Sequence, residues 1–145
     1  MLPPHGGRLI DRLVPEEDRP RIREESSELV NIPVSREARK DYECMAYGMF
    51  SPLKGPLSRN DYQSVLGKGR LRNDMPWTFP IVLDVSEELA SGIEEGDDVA
   101  LSDSGEPFAV LHVEDKYGLD KKIHAESVYK TLDPEHPGVA KTNSM

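Results

Sequence analysis

The chain has 145 residues, of which 37% are hydrophobic and 31% charged, and 27 acidic residues against 18 basic ones give a net charge of −9. This length suits one compact domain, and so acidic a surface repels the phosphate backbone of nucleic acids. The single cysteine, Cys44, excludes an internal disulfide and a cysteine-based zinc site, and it suits a reducing cytoplasm.

The first segment of the chain is predicted to be an extended arm over residues 1–15. Its sequence, MLPPHGGRLIDRL, has no apolar run after the first charge, and no stretch of about 18 uncharged apolar residues occurs anywhere. A signal peptide and a membrane span are therefore both excluded. The acidic residues after Pro15 favour a short helix, which Pro20 is expected to limit.

Two helices are predicted on either side of the segment FSPLKGPLSRNDY, residues 50–62. Ser35 is the candidate N-cap of the first helix, which fades at Gly48, and Ser58 is the candidate N-cap of the second, over residues 58–67. Segment 50–62 itself is interpreted as a brace that turns the chain between the helices, rather than as a substrate-binding loop. The apolar stripe of the first helix comprises Ala38, Tyr42, Met45 and Met49.

The second half of the chain is predicted to supply a sheet. Residues 78–85, TFPIVLDV, have the composition of a buried strand, and residues 97–115 have the pattern of a hairpin that turns at 103–105. A helical turn beginning at Ser86 and a surface helix over residues 120–130 complete the elements. Short strands with short helices between them indicate a small α+β domain with a curled or barrel-like sheet.

No catalytic, cofactor-binding or metal-ligating residue is predicted. The four histidines are far apart in sequence, so none forms the i, i+3 or i, i+4 pair of a helical metal site. GKGR, residues 67–70, lacks the spacing of a phosphate loop and is interpreted as a helix stop. Phe50, Trp77 and Phe79 are interpreted as core, and Lys68, Arg70 and Arg72 as a weak positive edge.

Five segments, taken in order, resemble the amino-terminal part of the ATP sulfurylase (sulfate adenylyltransferase) family. The resemblance covers almost the whole chain and implies a PUA-like fold, a small β-barrel with peripheral short helices. One departure is Pro56, where the family commonly has an aromatic residue. The segments are PHGG at 4–7, MAYGMFSPLKG at 45–55, RLRNDMPWTFPIVLDV at 70–85, EGDDVALSDSGEPFAVLHVED at 95–115 and YKTLDPEHPGVA at 129–140.

The resemblance also implies an activity for the complete enzyme, which joins sulfate to the α-phosphate of ATP and uses magnesium. Its Q-x-R-N and H-x-x-H motifs belong to a separate catalytic domain, and neither occurs here; SRND at 58–61 is preceded by Leu57 instead of glutamine. We therefore expect residues 1–145 to be one PUA-like domain that is inactive alone and holds no cofactor. Residues 132–145 are expected to begin the linker to the missing catalytic domain.

The expected partners are that catalytic domain and further copies of the chain, in the cytoplasm, without a membrane. The alternative function is a stand-alone PUA-like module for RNA binding or oligomerisation. The net charge of −9 disfavours RNA, because RNA affinity grows with the number of phosphates that a protein neutralises.

Overall fold

The sheet is organised around one central strand, as a computed structural model of all residues, Met1–Met145, shows. This strand, β2 (Asp98–Asp103), lies between the parallel strand β1 (Val30–Pro33) and the antiparallel strand β3 (Glu106–His112). Because β2 is covered on both faces, its side chains do not alternate between buried and exposed. Its buried residues, none more than 2% exposed, are Val99, Ala100, Leu101 and Ser102.

The predicted hairpin is confirmed. Strands β2 and β3 close at the pair Asp103 and Glu106, and the two residues between them, Ser104 and Gly105, have φ angles of 52° and 81°. Two successive positive φ values are those of a type I′ turn, whose twist matches that of the flanking strands. The barrel that the resemblance implies is represented in this chain by a three-stranded sheet.

The chain forms two compact units, of which the first joins Met1–Pro56 to Ser86–Glu114 and contains the sheet. The predicted short helix after Pro15 is a 3₁₀-helix that ends at Asp18, before Pro20, and Pro20 lies in the first turn of the following helix α1, where its missing N–H has no intrahelical partner. The helices of this unit are a 3₁₀-helix at Glu16–Asp18, α1 (Arg19–Ser26), α2 (Arg36–Ala46) and α4 (Glu87–Ser91).

Helix α2 is capped as predicted, since the Ser35 hydroxyl accepts a hydrogen bond from the N–H of Ala38 at 3.1 Å. Arg39 ties the helix to the hairpin: its guanidinium lies 3.6 Å from the Asp103 carboxylate and 5.0 Å from the ring centre of Phe108. Met49, which was predicted to continue the buried stripe, lies beyond the helix end and is 72% exposed.

The second unit joins Leu57–Val85 to Asp115–Met145. Its helix α6 lies inside the predicted linker and was not expected from the sequence. The His136 side chain caps this helix by accepting a hydrogen bond from the N–H of Gly138, and Val139 on the helix is buried. Every helix is too short or too polar to span a lipid bilayer. The helices of this unit are α3 (Arg59–Lys68), α5 (Lys121–Tyr129) and α6 (Pro137–Asn143).

The predicted strand at residues 78–85 is wrong, because this segment has no strand assignment. Its neighbour Trp77 donates its backbone N–H to the carbonyl of Gly69, and the carbonyl of Ile81 accepts the N–H of Leu57. Individual hydrogen bonds to loop residues therefore take the place of a strand ladder along this segment. Its apolar composition reflects the burial of Pro80 and Ile81, not strand pairing.

Helices α5 and α6 pack closely at one glycine, which gives a testable expectation. A Cβ on Gly138 would overlap the ring of Tyr129. We expect Gly138→Ala to lower the free energy of unfolding by about 1 kcal/mol, because the ring must move. Chemical denaturation checks this, with Gly67→Ala as the control, since a Cβ there meets nothing within 4 Å. Equal effects of the two substitutions would contradict it.

Candidate functional site

The extended arm at the start of the chain is held on the first unit by backbone hydrogen bonds. The N–H of Arg12 donates to the carbonyl of Ala46 at 3.0 Å, and the N–H of Ile10 donates to the Ser51 hydroxyl, also at 3.0 Å. Because alternate residues of an extended chain point the same way, the N–H groups of residues 10 and 12 both face the carboxyl end of α2 and the loop that follows it. The arm is therefore held in place by hydrogen bonds along one of its sides.

The loop after α2 is shaped to receive this arm. Gly48 has a φ of 83°, and a Cβ at this position would overlap the carbonyl oxygen of Ile10 and lie 2.8 Å from the Leu9 side chain. Ser51 is 4% exposed and donates its own proton to the carbonyl of Gly48 at 2.7 Å. The Ser51 hydroxyl thus accepts one hydrogen bond and donates another, both within the fold. This agrees with the interpretation of segment 50–62 as a brace.

Beside the docked arm lies an open depression of about 210 Å³ with a surplus of positive charge. Three of its lining side chains are cationic, and none of the three takes part in an ion pair or a side-chain hydrogen bond. One carboxylate, Asp11, lies among them and accepts the N–H of Leu13. The cluster was not expected from the sequence, although both arginines stand in the segment GGRLIDRL. The lining residues are Arg8, Leu9, Ile10, Asp11, Arg12 and Lys54.

The chemistry available in this depression is attraction of negative charge, not catalysis. All three cationic residues are exposed. Stabilisation of a reacting anion depends on donors that are fixed in place and shielded from water. Solvated arginine and lysine side chains with no bonding partner are neither fixed in place nor shielded from water. The depression is therefore suited to reversible electrostatic contact.

The second unit contains a buried polar pair. Tyr62 on α3 and His124 on α5 are 6% and 4% exposed, and the tyrosine hydroxyl lies 2.9 Å from Nδ1 of the histidine. Burial lowers the pKa of His124, because a charged imidazolium would lose its hydration. Burial, with a smaller effect from Asp120, raises the pKa of Tyr62 to about 12. Both groups are therefore neutral at pH 7.

A second tyrosine extends this cluster. The ring of Tyr117 lies 5.6 Å from that of Tyr62, and its hydroxyl donates to the carbonyl of Leu57 at 2.7 Å. Burial is the main cause of a raised pKa of Tyr117. The cluster was not expected from the sequence, which predicts only a surface helix over residues 120–130, whereas His124 on that helix is 4% exposed and faces inward.

The residues that the sequence analysis weighed for chemistry have structural roles. His112 is solvent-facing and hydrogen-bonds Asp98 across the hairpin. Gly69 ends α3 with a φ of 64°, as expected of a helix stop in GKGR. Arg59, within SRND, donates its backbone N–H to Asp115 and its guanidinium to the carbonyl of Lys116. The pattern at 58–61 therefore serves a helix cap and a loop contact.

Two aromatic residues that the sequence assigns to the core are exposed or partly exposed. Phe79 is 52% exposed, and Trp77 is partly exposed with its indole N–H bonded to the carbonyl of Phe79 at 2.7 Å. The assignment of these two rings to the core is wrong because the loop carries them along its outer side. Arg70 bonds within its own turn, to the carbonyl of Asp74 at 2.7 Å.

The chain is similar to known proteins over almost its whole length. Residues 2–145 match the model of the PUA-like domain. A protein named sulfate adenylyltransferase from Hyperthermus butylicus is 50% identical over 139 residues, which are 96% of this chain and 36% of that protein. A protein of the same name from Staphylothermus marinus is 49% identical over 143 residues, which are 98% of this chain and 37% of that one.

Similarity extends to a solved structure. It is described as a hexameric APS kinase from Thiobacillus denitrificans, with a TM-score of 0.71 and 26% identity over 82% of this chain and 24% of that one. The chain thus spans little more than a third of the curated relatives and about a quarter of the solved structure. The expectation of a PUA-like α+β fold is confirmed.

Proposed function

This chain belongs to the PUA-like domain family, and from that membership we propose that it is the amino-terminal, non-catalytic domain of a sulfate adenylyltransferase. The observation that carries the proposal is 50% identity to a protein of that name over 96% of the chain, combined with coverage of only 36% of that relative. In the complete enzyme, sulfate reacts with the α-phosphate of ATP to give adenosine phosphosulfate and pyrophosphate. This domain stabilises and helps to assemble the part that does so.

The electrostatics of the chain support a non-catalytic role. Joining a sulfate dianion to a polyphosphate brings like charges together, so the reaction requires fixed cationic donors at the reacting phosphorus. The unpaired cations that the structure brings to one depression are Arg8, Arg12 and Lys54. They are exposed and share that depression with Asp11, which weakens their attraction for an anion.

The proposal assigns magnesium and ATP to the catalytic region of the complete enzyme. No group of three or more histidine, cysteine, aspartate or glutamate side chains is placed to hold a metal ion. A cytoplasmic location, suggested by the single free cysteine, is part of the same proposal.

A role in assembly is favoured by a separate observation. The similar solved structure is described as hexameric, and its likeness covers 82% of this chain. We therefore propose that the domain also contributes to contacts between copies. An independent RNA-binding role has less support, because the net charge of −9 opposes binding to a phosphate backbone.

Two assays with ATP and sulfate test the proposed function. The purified 145-residue chain is expected to release no pyrophosphate above a protein-free blank. A chimera in which this chain replaces the matching 36% of the Hyperthermus butylicus relative is expected to retain that relative's pyrophosphate release within about tenfold. The unmodified relative is the positive control.

The two assays contradict different parts of the proposal. Turnover by the chain alone would show that it is catalytic. A chimera that folds, as judged by cooperative unfolding, but releases no pyrophosphate would show that this chain does not serve as the domain of such an enzyme.

A further inference from the structure

Three cationic side chains border the open depression beside the docked arm, and no ion pair neutralises them. Arg8 and Arg12 belong to the arm, and Lys54 belongs to the loop after α2. None of the three is a member of an ion pair, although acidic residues outnumber basic ones by 27 to 18 in this chain. Arg21 and Arg39, by contrast, pair with carboxylates. The positive charge of the depression is therefore available to a ligand.

Asp11 offsets only part of this positive charge. It is the single carboxylate among the lining residues, so three cations and one acid leave the depression with a formal charge of +2. One oxygen of Asp11 accepts the N–H of Leu13 at 2.9 Å and is thus engaged by the backbone of the arm itself. The depression therefore attracts an anion in spite of Asp11, although more weakly than three cations alone would.

Docking of the arm brings the cations of the two segments together. The N–H of Ile10, which lies between the two arginines, donates to the hydroxyl of Ser51, 41 positions later and three before Lys54. The N–H of Arg12 donates to the carbonyl of Ala46. Because these bonds fix the backbones that carry the cations, a ligand that binds here need not order a free arm.

The size of the depression indicates the class of anion that fits it. Its volume of about 210 Å³ is smaller than the roughly 300–1,000 Å³ of pockets that enclose drug-sized ligands. The forked donors of a guanidinium match the oxygens of a tetrahedral oxyanion, and a lysine adds a point charge. A small oxyanion therefore fits this lining, whereas a nucleotide is too large to be enclosed.

We propose that the depression lined by Arg8, Arg12 and Lys54 is a binding site for a free tetrahedral oxyanion, such as sulfate or inorganic phosphate. The anion accepts hydrogen bonds from the arm and from the loop after α2 at the same time, and so holds the arm on the loop. It is bound and released without reaction. The proposal goes beyond the proposed function and does not depend on it.

The overall charge of the chain favours a small anion over a polymeric one. A nucleic acid or an anionic lipid surface extends beyond the depression and meets the field of the whole chain, whose net charge is −9. A small ion responds mainly to the charges within about 10 Å of it, the screening length at 0.1 M salt. Because ion pairs at exposed sites are weak, we expect a dissociation constant on the order of millimolar.

A nuclear magnetic resonance titration of the 145-residue chain with sodium sulfate tests the proposal. The backbone N–H signals of residues 8–12 and 54 are expected to shift and to saturate, with a dissociation constant on the order of millimolar. Phosphate is expected to bind within about threefold of sulfate, because it has the same shape and a similar charge. Sodium chloride at the same ionic strength is the reference, and AMP tests whether a nucleotide is preferred.

Substitutions that change the charge of the depression should move the affinity in opposite directions. Arg8→Gln/Arg12→Gln is expected to raise the dissociation constant for sulfate at least about tenfold, and Lys54→Gln about threefold. Asp11→Asn is expected to lower it about threefold, because the side chain keeps an oxygen for the N–H of Leu13 but loses its negative charge.

The control variant is Arg23→Gln/Arg72→Gln, which removes two positive charges from exposed side chains outside the depression. It should bind sulfate within about twofold of wild type. A second readout is cleavage of the arm by subtilisin before residue 15. Sulfate is expected to slow this cleavage in the wild-type chain and not in Arg8→Gln/Arg12→Gln, because the bound anion joins the arm to the loop.

Four results would each overturn the inference. They are sulfate shifts no different from those with chloride, a control variant that binds as weakly as the arginine variant, an Asp11→Asn variant that binds less tightly than wild type, and AMP that binds more than about tenfold tighter than phosphate. Thermal unfolding without added anion verifies that every variant folds. Since no turnover is measured, failure here leaves the proposed enzyme assignment standing.

Discussion

Replacement of Gly48 by alanine is expected to lower the free energy of unfolding by about 2–4 kcal/mol. Two physical effects add at this position. A side chain at a φ of 83° is strained, and the new Cβ would overlap the carbonyl oxygen of Ile10. The arm must then leave the loop, which also removes the bond from Ile10 to Ser51. Chemical denaturation measures the loss, and faster proteolysis before residue 15 is expected to accompany it.

Another glycine of the chain separates the two effects. Gly105 has nearly the same φ, 81°, but a Cβ there meets nothing within 4 Å. Gly105→Ala should therefore show only the backbone strain, about 1 kcal/mol. Gly55→Ala, with neither a positive φ nor a neighbour, should be close to neutral. If Gly48→Ala costs no more than Gly105→Ala, the arm does not dock on the loop as described.

Removal of the Tyr62 hydroxyl is expected to destabilise the protein by about 1–3 kcal/mol at pH 8. Tyr62→Phe keeps the ring but leaves Nδ1 of His124 without its partner in a site where the histidine is 4% exposed. An unpaired buried polar atom loses its hydration without compensation. Tyr47, 61% exposed, supplies the matched control, because Tyr47→Phe should change the free energy of unfolding by less than about 0.5 kcal/mol.

The same pair predicts a pH dependence with a definite sign. Burial lowers the pKa of His124 in the folded state, so below about pH 6.5, the ordinary value, the unfolded chain binds a proton that the folded chain resists. The contribution of this neutral histidine to stability is present above pH 6.5 and is lost as the pH falls through the lowered value. In the His124→Gln variant, residue 124 does not titrate. The free energy of unfolding of this variant should therefore fall less steeply between pH 7.5 and 5.5.

Denaturant titrations at several pH values check this expectation. The difference in slope between the wild-type chain and His124→Gln is the quantity to compare, because the other titrating groups are common to both proteins. Identical slopes would show that His124 titrates alike in the folded and unfolded states.

The starts of four helices could be read directly from the sequence. Ser35, Ser58 and Ser86 each accept a backbone N–H three residues ahead, and Asp120 caps α5 in a similar way. Capping depends on contacts within one turn, so the residues that decide it are adjacent in the chain. The type I′ hairpin turn was predictable for the same reason.

Pairing and burial were predicted less well, because they depend on residues far apart in sequence. Strand β1 has four residues and pairs with β2 about 70 positions later, so no local pattern announces it. Segment 78–85 has the composition of a strand but no strand partner. Burial also differed from the local pattern, because Met49 of the predicted apolar stripe is exposed and His124 of the predicted surface helix is buried.

The amino-acid sequence by itself determined the acidic charge of this protein, its helix caps and hairpin turn, and through collinear segments its family. Only the tertiary structure decided that the loop after α2 receives the arm, that Arg8, Arg12 and Lys54 share one depression, and that Tyr62 meets His124. The reason is physical: caps and turns are settled by neighbouring residues, whereas docking and convergence require the chain to fold back on itself and close long loops.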